Sequence, residues 1–127
     1  MLSVIEKKLK LNKKFKDKFS LEDRKKEANK IRTKYPDRIP IIIEKGSECP
    51  DIDYIDKNKF LVPNDLLVNQ LLYVIRRRVN INAERSLFLF CNGKIPSGSS
   101  MVSTVYDENH DEDGFLYITY TGENTFG

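Results

Sequence analysis

One histidine and two cysteines are all that this chain of 127 residues offers to zinc or thiol chemistry. Cys49 and Cys91 form no C-x-x-C pair, and with His110 as the lone histidine a zinc site cannot be assembled from Cys and His alone. Nothing marks secretion, so two free thiols are expected rather than a disulfide. A cysteine hydrolase would need one of the two beside His110. Cys49 falls in an acidic stretch, and Cys91 follows four apolar residues, which suits a buried and inert thiol. Glycine-rich phosphate loops and serine-centred elbows are missing as well, so neither an enzyme nor a cofactor is expected. Long apolar runs are also lacking: none approaches the roughly 18 residues of a membrane span. Only Leu2, Val4 and Ile5 precede the first charges, too few for a signal-peptide core. A lysine-rich start containing Glu6 fits a mitochondrial presequence poorly, and a cytosolic chain is expected.

The acidic run Asp107–Gly114 invites a calcium reading that neither register supports. A loop beginning at Asp107 would need glycine where Glu112 stands, and one beginning at Asn109 would need glutamate where Tyr120 stands. The run is expected to be a solvated turn, with no metal site.

What the chain has in quantity is charge: 32% of residues are charged and 39% hydrophobic, values that suit a single globular domain with a real core. The net charge of +3 hides an asymmetry. Residues 1–36 carry 13 basic against 5 acidic side chains, a balance of +8, and residues 37–127 carry 9 against 14, a balance of −5. The plainest account of the N-terminal lysines is a solvated helix face. An anionic membrane surface is the sharper alternative, and there residues 1–18 would add electrostatic affinity of about 1 kcal/mol per lysine. Nucleic acid ranks third and is not expected, since the segment lacks the interleaved aromatics of a base-stacking platform.

Lys59 to Val79, KFLVPNDLLVNQLLYVIRRRV, organises the remainder. Phe60-Leu61-Val62 is long enough for a strand, and Pro63 stops it. Asn64 is expected to cap a helix that begins at Asp65, with Leu67, Leu71, Val74, Ile75 and Val79 three or four apart on one face. Arg76-Arg77-Arg78 suits its negative C-terminal end. So wide an apolar face needs a sheet to cover it.

Strand patterns lie on both sides. Residues 3–18 read as a helix with Leu11, Phe15 and Phe19 on one face. Ser20 and Asp23 resemble a capping box that opens a second helix, carrying Leu21, Ala28, Ile31 and Tyr35 and ended by Pro36. Ile39–Glu44 is a strand, 46–58 a polar loop, and Ser86–Cys91 another strand. Asn92-Gly93 is a type I′ hairpin signal leading into a short strand at Lys94-Ile95. Met101–Tyr106 reads as a turn or two of helix, and Phe115–Thr121 as the fifth strand. After Pro36 this is the order of an α+β ubiquitin-like β-grasp: a mixed sheet of about five strands with a central helix, preceded by two N-terminal helices. Its first and last strands pair in the middle, and its second strand is left as an open edge that an extended peptide can join.

Several stretches carry a resemblance to a family. KIRTKYPDRIP (Lys30–Pro40), DKNKFLVPNDL (Asp56–Leu66), YVIRRRV (Tyr73–Val79) and DGFLYITYTGENTFG (Asp113–Gly127) occur in the order seen in the autophagy-related ubiquitin-like modifiers, the family of the GABA-receptor-associated protein. The resemblance runs from about Leu21 to Gly127. It implies conjugation through Gly127 to the amine of phosphatidylethanolamine. An E1-like activating enzyme and an E2-like conjugating enzyme would carry the chain as thioesters, and a deconjugating cysteine protease would release it. It also implies cargo receptors with an aromatic-x-x-aliphatic motif. By position, the aromatic pocket would be lined by Glu27, Ile31, Pro40, Ile42, Lys59, Leu61 and Phe115, and the aliphatic pocket by Phe60, Val62, Pro63, Leu66, Leu71 and Val74. Lys57 and Lys59 would flank the added strand, while Arg38 and Arg78 would meet acidic residues of the peptide. Residues 1–36 would be a lysine-rich helical subdomain, and 37–127 the ubiquitin-like part with its conjugation tail, the two forming one compact domain. A monomer in the cytoplasm is expected, moving to autophagosome and other vesicle membranes when lipidated.

The chain departs from the family pattern in four places. It closes on Gly127, whereas many members carry residues beyond the glycine. Asn69 and Leu71 stand where glycine and an aromatic are common. The loop between Glu44 and Phe60 is a residue longer, and the N-terminus carries about ten additional, lysine-rich residues. Two other function classes stay open at this stage: an unconjugated peptide adaptor and a basic β-grasp that binds nucleic acid.

Overall fold

The computed structural model describes residues 13–46 and 49–123. Along them run α1 (Phe15–Lys18), α2 (Leu21–Lys34), β1 (Arg38–Lys45), β2 (Lys59–Pro63), α3 (Val68–Arg78), β3 (Phe88–Phe90), α4 (Val102–Asn109) and β4 (Leu116–Thr121).

The strands form one mixed sheet in the order β2-β1-β4-β3. β1 and β4 pair in parallel at its centre, with Ile41 opposite Leu116 and Ile43 opposite Ile118. β2 and β3 pair antiparallel on the outside. A strand at the centre of a sheet covered on both faces needs apolar residues at every position rather than at alternate ones. Ile39, Ile41, Ile42 and Ile43 supply that run, and all four are buried. The pleat then sorts them. Ile39, Ile41 and Ile43 enter a core with Val68, Leu71 and Ile75 of α3 and with Leu116, Ile118 and Tyr120 of β4. Ile42 faces the other way, into a smaller core with Phe15 of α1, Ala28 and Ile31 of α2, and Phe115.

Ser20 caps α2, its hydroxyl accepting from the Asp23 amide at 3.2 Å. The helix ends at Lys34, before Pro36, with Tyr35 outside the helical region at φ −128° and ψ 72°. The first helix, expected over residues 3–18, is only partly described. Residues 3–12 lie outside the described residues, and of the rest only Phe15–Lys18 is helical.

Two further expectations are corrected. The central helix begins at Val68, not at Asp65. Residues 64–67 are taken up by a turn, with the Leu66 amide on the Pro63 carbonyl, and by a neighbouring loop. The Val68 and Asn69 amides donate to the carbonyls of Ser100 and Gly98, at 2.9 and 3.0 Å. Backbone partners from elsewhere in the chain thus replace Asn64 as the cap. The described residues hold four strands rather than five. Asn92 and Gly93 have the positive φ that the hairpin signal requires. However, the turn closes only the Cys91–Lys94 pair, and Pro96 has no N–H with which to extend it.

The acidic run is corrected as well. Asp113 is no solvated turn residue, being only 2% exposed. One carboxylate oxygen accepts from Arg24 of α2 at 2.7 Å and from the Tyr117 hydroxyl at 2.5 Å. The other accepts the Phe115 amide at 2.8 Å. One side chain therefore ties α2 to the start of β4. Asp113→Ala should lower the unfolding free energy by about 3 kcal/mol, because it leaves the largely buried Arg24 guanidinium with only the more distant Asp111 carboxylate, 3.9 Å away, to answer its charge. Urea denaturation measures this, and a loss below about 0.5 kcal/mol would make the residue an ordinary surface group.

Candidate functional site

β2 is an edge strand: one side pairs with β1, and no strand among the described residues pairs with the other. Antiparallel partners directly opposite one another share a face of the sheet. Lys59 lies opposite Ile42 and Leu61 opposite Pro40, so both belong to the face covered by α2. Phe60 lies opposite Ile41 and Val62 opposite Ile39, so both belong to the face covered by α3. The edge therefore divides two apolar surfaces, one on each side of the sheet.

On the α2 face, Leu61 is 37% exposed and is the apolar side chain nearest the edge that solvent reaches. Ile31 and Pro40 are buried behind it. Ile42 and Phe115, expected to line an open pocket, have no exposed surface at all. Phe15 of α1 meets Phe115 edge-on with ring centroids 5.3 Å apart, and Phe19 packs on Phe15 at 5.0 Å. Ile42 and Phe115 thus form a layer beneath the surface. Beside them opens a hollow of about 330 Å³, lined by Phe15, Phe19, Asp23, Arg24, Glu27 and Lys59. The family pattern supplied only Glu27 and Lys59 of that set. Exposed Phe19 was the available sequence signal for the rest, since it lies on the Phe15 face of the first helix.

Lys59 and Glu27 are joined across this hollow at 2.6 Å. The hydrogen bond from Lys59 is the main cause holding the Glu27 carboxyl below the ordinary glutamate value. Lys57 is exposed further along and helps line a second cleft, of about 500 Å³, with Lys14, Lys18 and Tyr54. Arg38 is exposed at the start of β1 opposite Pro63, and its amide donates to the Tyr35 carbonyl at 3.0 Å.

On the α3 face, Phe60 and Leu66 are partly buried against the main core, and Val74 is exposed. Val62 is buried and Leu71 wholly so. Leu71 therefore supports this surface from inside, where an open pocket had been expected. Arg78 lies over the Phe60 ring at 5.5 Å and reaches Asp56 at 3.5 Å. Gly127 lies outside the described residues.

The groups a cysteine hydrolase would use are engaged elsewhere. Cys49 bonds Thr121 and the Gly122 amide, and His110 stacks on Tyr106 while its Nδ1 meets the Tyr106 carbonyl at 2.8 Å. Burial pushes the Cys91 thiol up to about 11.

A ubiquitin-like sheet with an open second strand is the setting in which the comparisons with known proteins fall. Residues 23–127 match the model of the family described as autophagy protein Atg8, ubiquitin like. This chain belongs to the Atg8 family. Autophagy-related protein 8 of Schizosaccharomyces pombe is 55% identical over 113 residues, covering 89% of this chain and 93% of that one. Autophagy-related protein 8c of Arabidopsis thaliana is 53% identical over 116 residues, covering 91% and 97%. Among solved structures, Plasmodium falciparum Atg8 in complex with a Plasmodium falciparum Atg3 peptide superposes with a TM-score of 0.83 at 34% identity, covering 90% of this chain and 99% of that one. Trypanosoma brucei ATG8 gives 0.82 at 44% identity, covering 91% and 98%. The chain is an autophagy ubiquitin-like modifier with the α+β fold of Atg8.

The Lys59–Glu27 pair makes a pH-dependent prediction. A carboxyl whose folded value is depressed contributes stability that is fully present above its unfolded value and is lost as pH falls through the folded one. The Tm advantage of the wild type over Glu27→Gln should therefore hold steady above 4.5, the ordinary glutamate value, and decline below it as pH falls through the depressed folded value. Thermal melts from about pH 7 to about pH 3 measure it, and an advantage that persists at the acid end would mean Glu27 acts through packing.

Proposed function

We propose that this Atg8-family chain is joined through Gly127 to phosphatidylethanolamine and uses the β2 edge to recruit receptors carrying an aromatic-x-x-aliphatic motif. The observation that carries the docking half is the position of β2 as an open edge between two apolar faces. An extended peptide that adds to β2 alternates its side chains between those faces. Two residues three apart then point to opposite sides of the sheet. The aromatic side chain goes to the α2 face, at Leu61 with Glu27, Ile31, Pro40, Ile42, Lys59 and Phe115 around and beneath it. The aliphatic one goes to the α3 face, at Phe60, Val62, Pro63, Leu66, Leu71 and Val74. Lys57, Lys59, Arg38 and Arg78 supply positive charge along the edge, which discourages self-pairing and attracts acidic flanking residues. The Plasmodium relative in complex with an Atg3 peptide supports peptide docking by this chain.

The conjugation half rests on the family and on the DGFLYITYTGENTFG ending. In this reading the chain is the substrate of conjugation and not an enzyme. An E1-like and then an E2-like enzyme hold the Gly127 carbonyl as a thioester. The lipid amine attacks that carbonyl, an amide forms and the thiol leaves; a cysteine protease reverses the attachment by hydrolysis. One acyl chain anchors a protein only marginally, at about 0.8 kcal/mol per buried CH₂, and phosphatidylethanolamine brings two. The protein is then a cytoplasmic monomer that becomes bound to autophagosome and other vesicle membranes on lipidation.

Gly127→Ala should abolish lipid attachment in a reconstituted reaction while fold and peptide binding stay intact. Normal lipidation of that variant would sink the conjugation reading and leave an unconjugated adaptor. In calorimetry with an aromatic-x-x-aliphatic peptide, Leu61→Ala should cost about 1 kcal/mol or more, as expected for a side chain at the centre of an interface. Wild-type affinity in a folded Leu61→Ala, Leu66→Ala double variant would place the docking groove elsewhere.

A further inference from the structure

The chain leaves the sheet under an unusually complete hold. β4 ends at Thr121, and both backbone groups of the next residue, Gly122, are engaged. Its amide donates to Cys49 Sγ at 2.9 Å, and its carbonyl accepts from Arg85 Nη1 at 3.0 Å. Cys49 is wholly buried and also meets the Thr121 hydroxyl at 2.8 Å. The Arg85 guanidinium is itself fixed from the far side by Asp51, at 2.8 Å to Nε and 3.4 Å to Nη2. The loop carrying Arg85 is pinned in turn by Arg76, which donates to the carbonyls of Arg85, Asn82 and Ala83 at 2.8, 3.1 and 3.2 Å. Glu123 lies 3.9 Å from the same guanidinium. The fit requires glycine at position 122, because a Cβ there would run into the Arg85 guanidinium.

We propose that Arg85 is a positioning residue for conjugation: by gripping the Gly122 carbonyl while Asp51 holds its guanidinium, it fixes the point and direction from which the C-terminal segment reaches an enzyme. The proposal rests on the reading that Gly127 is the point of attachment. Gly122 stands five residues before Gly127, so the α-carbon that bears the reacting carboxylate can lie no further than about 18 Å from an anchored root. Releasing the root lengthens the tether and removes its exit direction. Both changes lower the effective concentration of the carboxylate in an active site that holds the rest of the protein. Arg85 bonds Asp51 and Gly122 and, among the described residues, no group of the β2 edge.

The test is thioester formation by the activating enzyme, with kcat and KM for the modifier measured separately and each variant's fold checked by thermal melting. Arg85→Ala should lower kcat by about threefold or more with KM unchanged, and Arg85→Lys should restore most of it. Gly122→Ala should give the same loss, since its Cβ displaces the guanidinium, and the double variant should be no slower than either single one. The swap Asp51→Arg, Arg85→Asp rebuilds the ion pair but leaves Gly122 without a donor, so it should stay slow. Amide exchange at Gly122 and Glu123 should quicken in Arg85→Ala. Wild-type kcat in Arg85→Ala, a loss confined to KM, or full recovery in the swapped pair would overturn the positioning role. A wild type that forms no thioester at all would overturn the conjugation reading instead.

Discussion

Parallel pairing of β1 with β4 is the constraint from which the rest of the molecule follows. Two strands that pair in parallel cannot be joined by a hairpin, so everything between them in sequence must cross over and return. That crossover is where β2, α3, β3 and α4 lie, and it forces β2 and β3 to the two outer positions. An apolar run such as Ile41-Ile42-Ile43, buried on both sides, stabilises this arrangement only if each face is covered. α3 covers one face and α1 with α2 the other. The open edge is therefore a consequence of the topology: among the described residues, the strand beside β1 on its free side has no further neighbour to pair with.

The covering of the second face depends on charge as much as on apolar area. α2 buries only Ala28 and Ile31, too little to fix its orientation by packing alone. Asp113 supplies the rest. It receives Arg24 from α2, the Tyr117 hydroxyl and the Phe115 amide together, and Gly114 after it takes a positive φ with its α-carbon close to Ala28. Lys16 of α1 adds a bond to Asp111 at 2.6 Å and lies over the Tyr117 ring. The turn before β4 is thus the socket into which both N-terminal helices plug. Since those helices roof Phe115, the shape of the α2-side hollow is set by the same socket.

These examples mark what the sequence shows and what it hides. Period and punctuation announce α2, β1, β4 and the Asn92-Gly93 turn, because there the signal is local: a cap, a proline, alternating burial, a positive φ. The order of elements then leads to the β-grasp. Local signals failed where distant backbone supplied the partner. Asn64 looks like a cap until Gly98 and Ser100 present carbonyls to the same helix end. Asp113 looks solvated among Asp111 and Glu112 because nothing in the run says that Arg24, 89 residues earlier, will meet it. In the candidate site, register could place Leu61 and Phe60 on opposite faces from alternation alone. That Ile42, Phe115 and Leu71 lie beneath the surface could not be read the same way, since the burial of Ile42 and Phe115 depends on Phe15 and that of Leu71 on how α3 lies against the sheet.

The two functional regions proposed here share one strand. β1 pairs with β2 on one side and with β4 on the other, so the docking edge and the strand leading to Gly122 stand two strand spacings apart, about 10 Å. The residues used are disjoint: Lys59–Pro63 with its flanking faces on one side, and Cys49, Asp51, Arg85 and Gly122 on the other. A peptide added at β2 bonds to backbone that β1 does not use, and nothing at Gly122 needs to move to admit it. The intervening strand, packed on both faces, is the least deformable element of the sheet. Coupling between the two regions through a change of shape is therefore not required for both to be occupied at once. On the proposed function, a chain anchored by its C-terminus keeps its docking edge in the conformation it has free in solution, and receptor affinity at a membrane rises through local concentration rather than through a remodelled site.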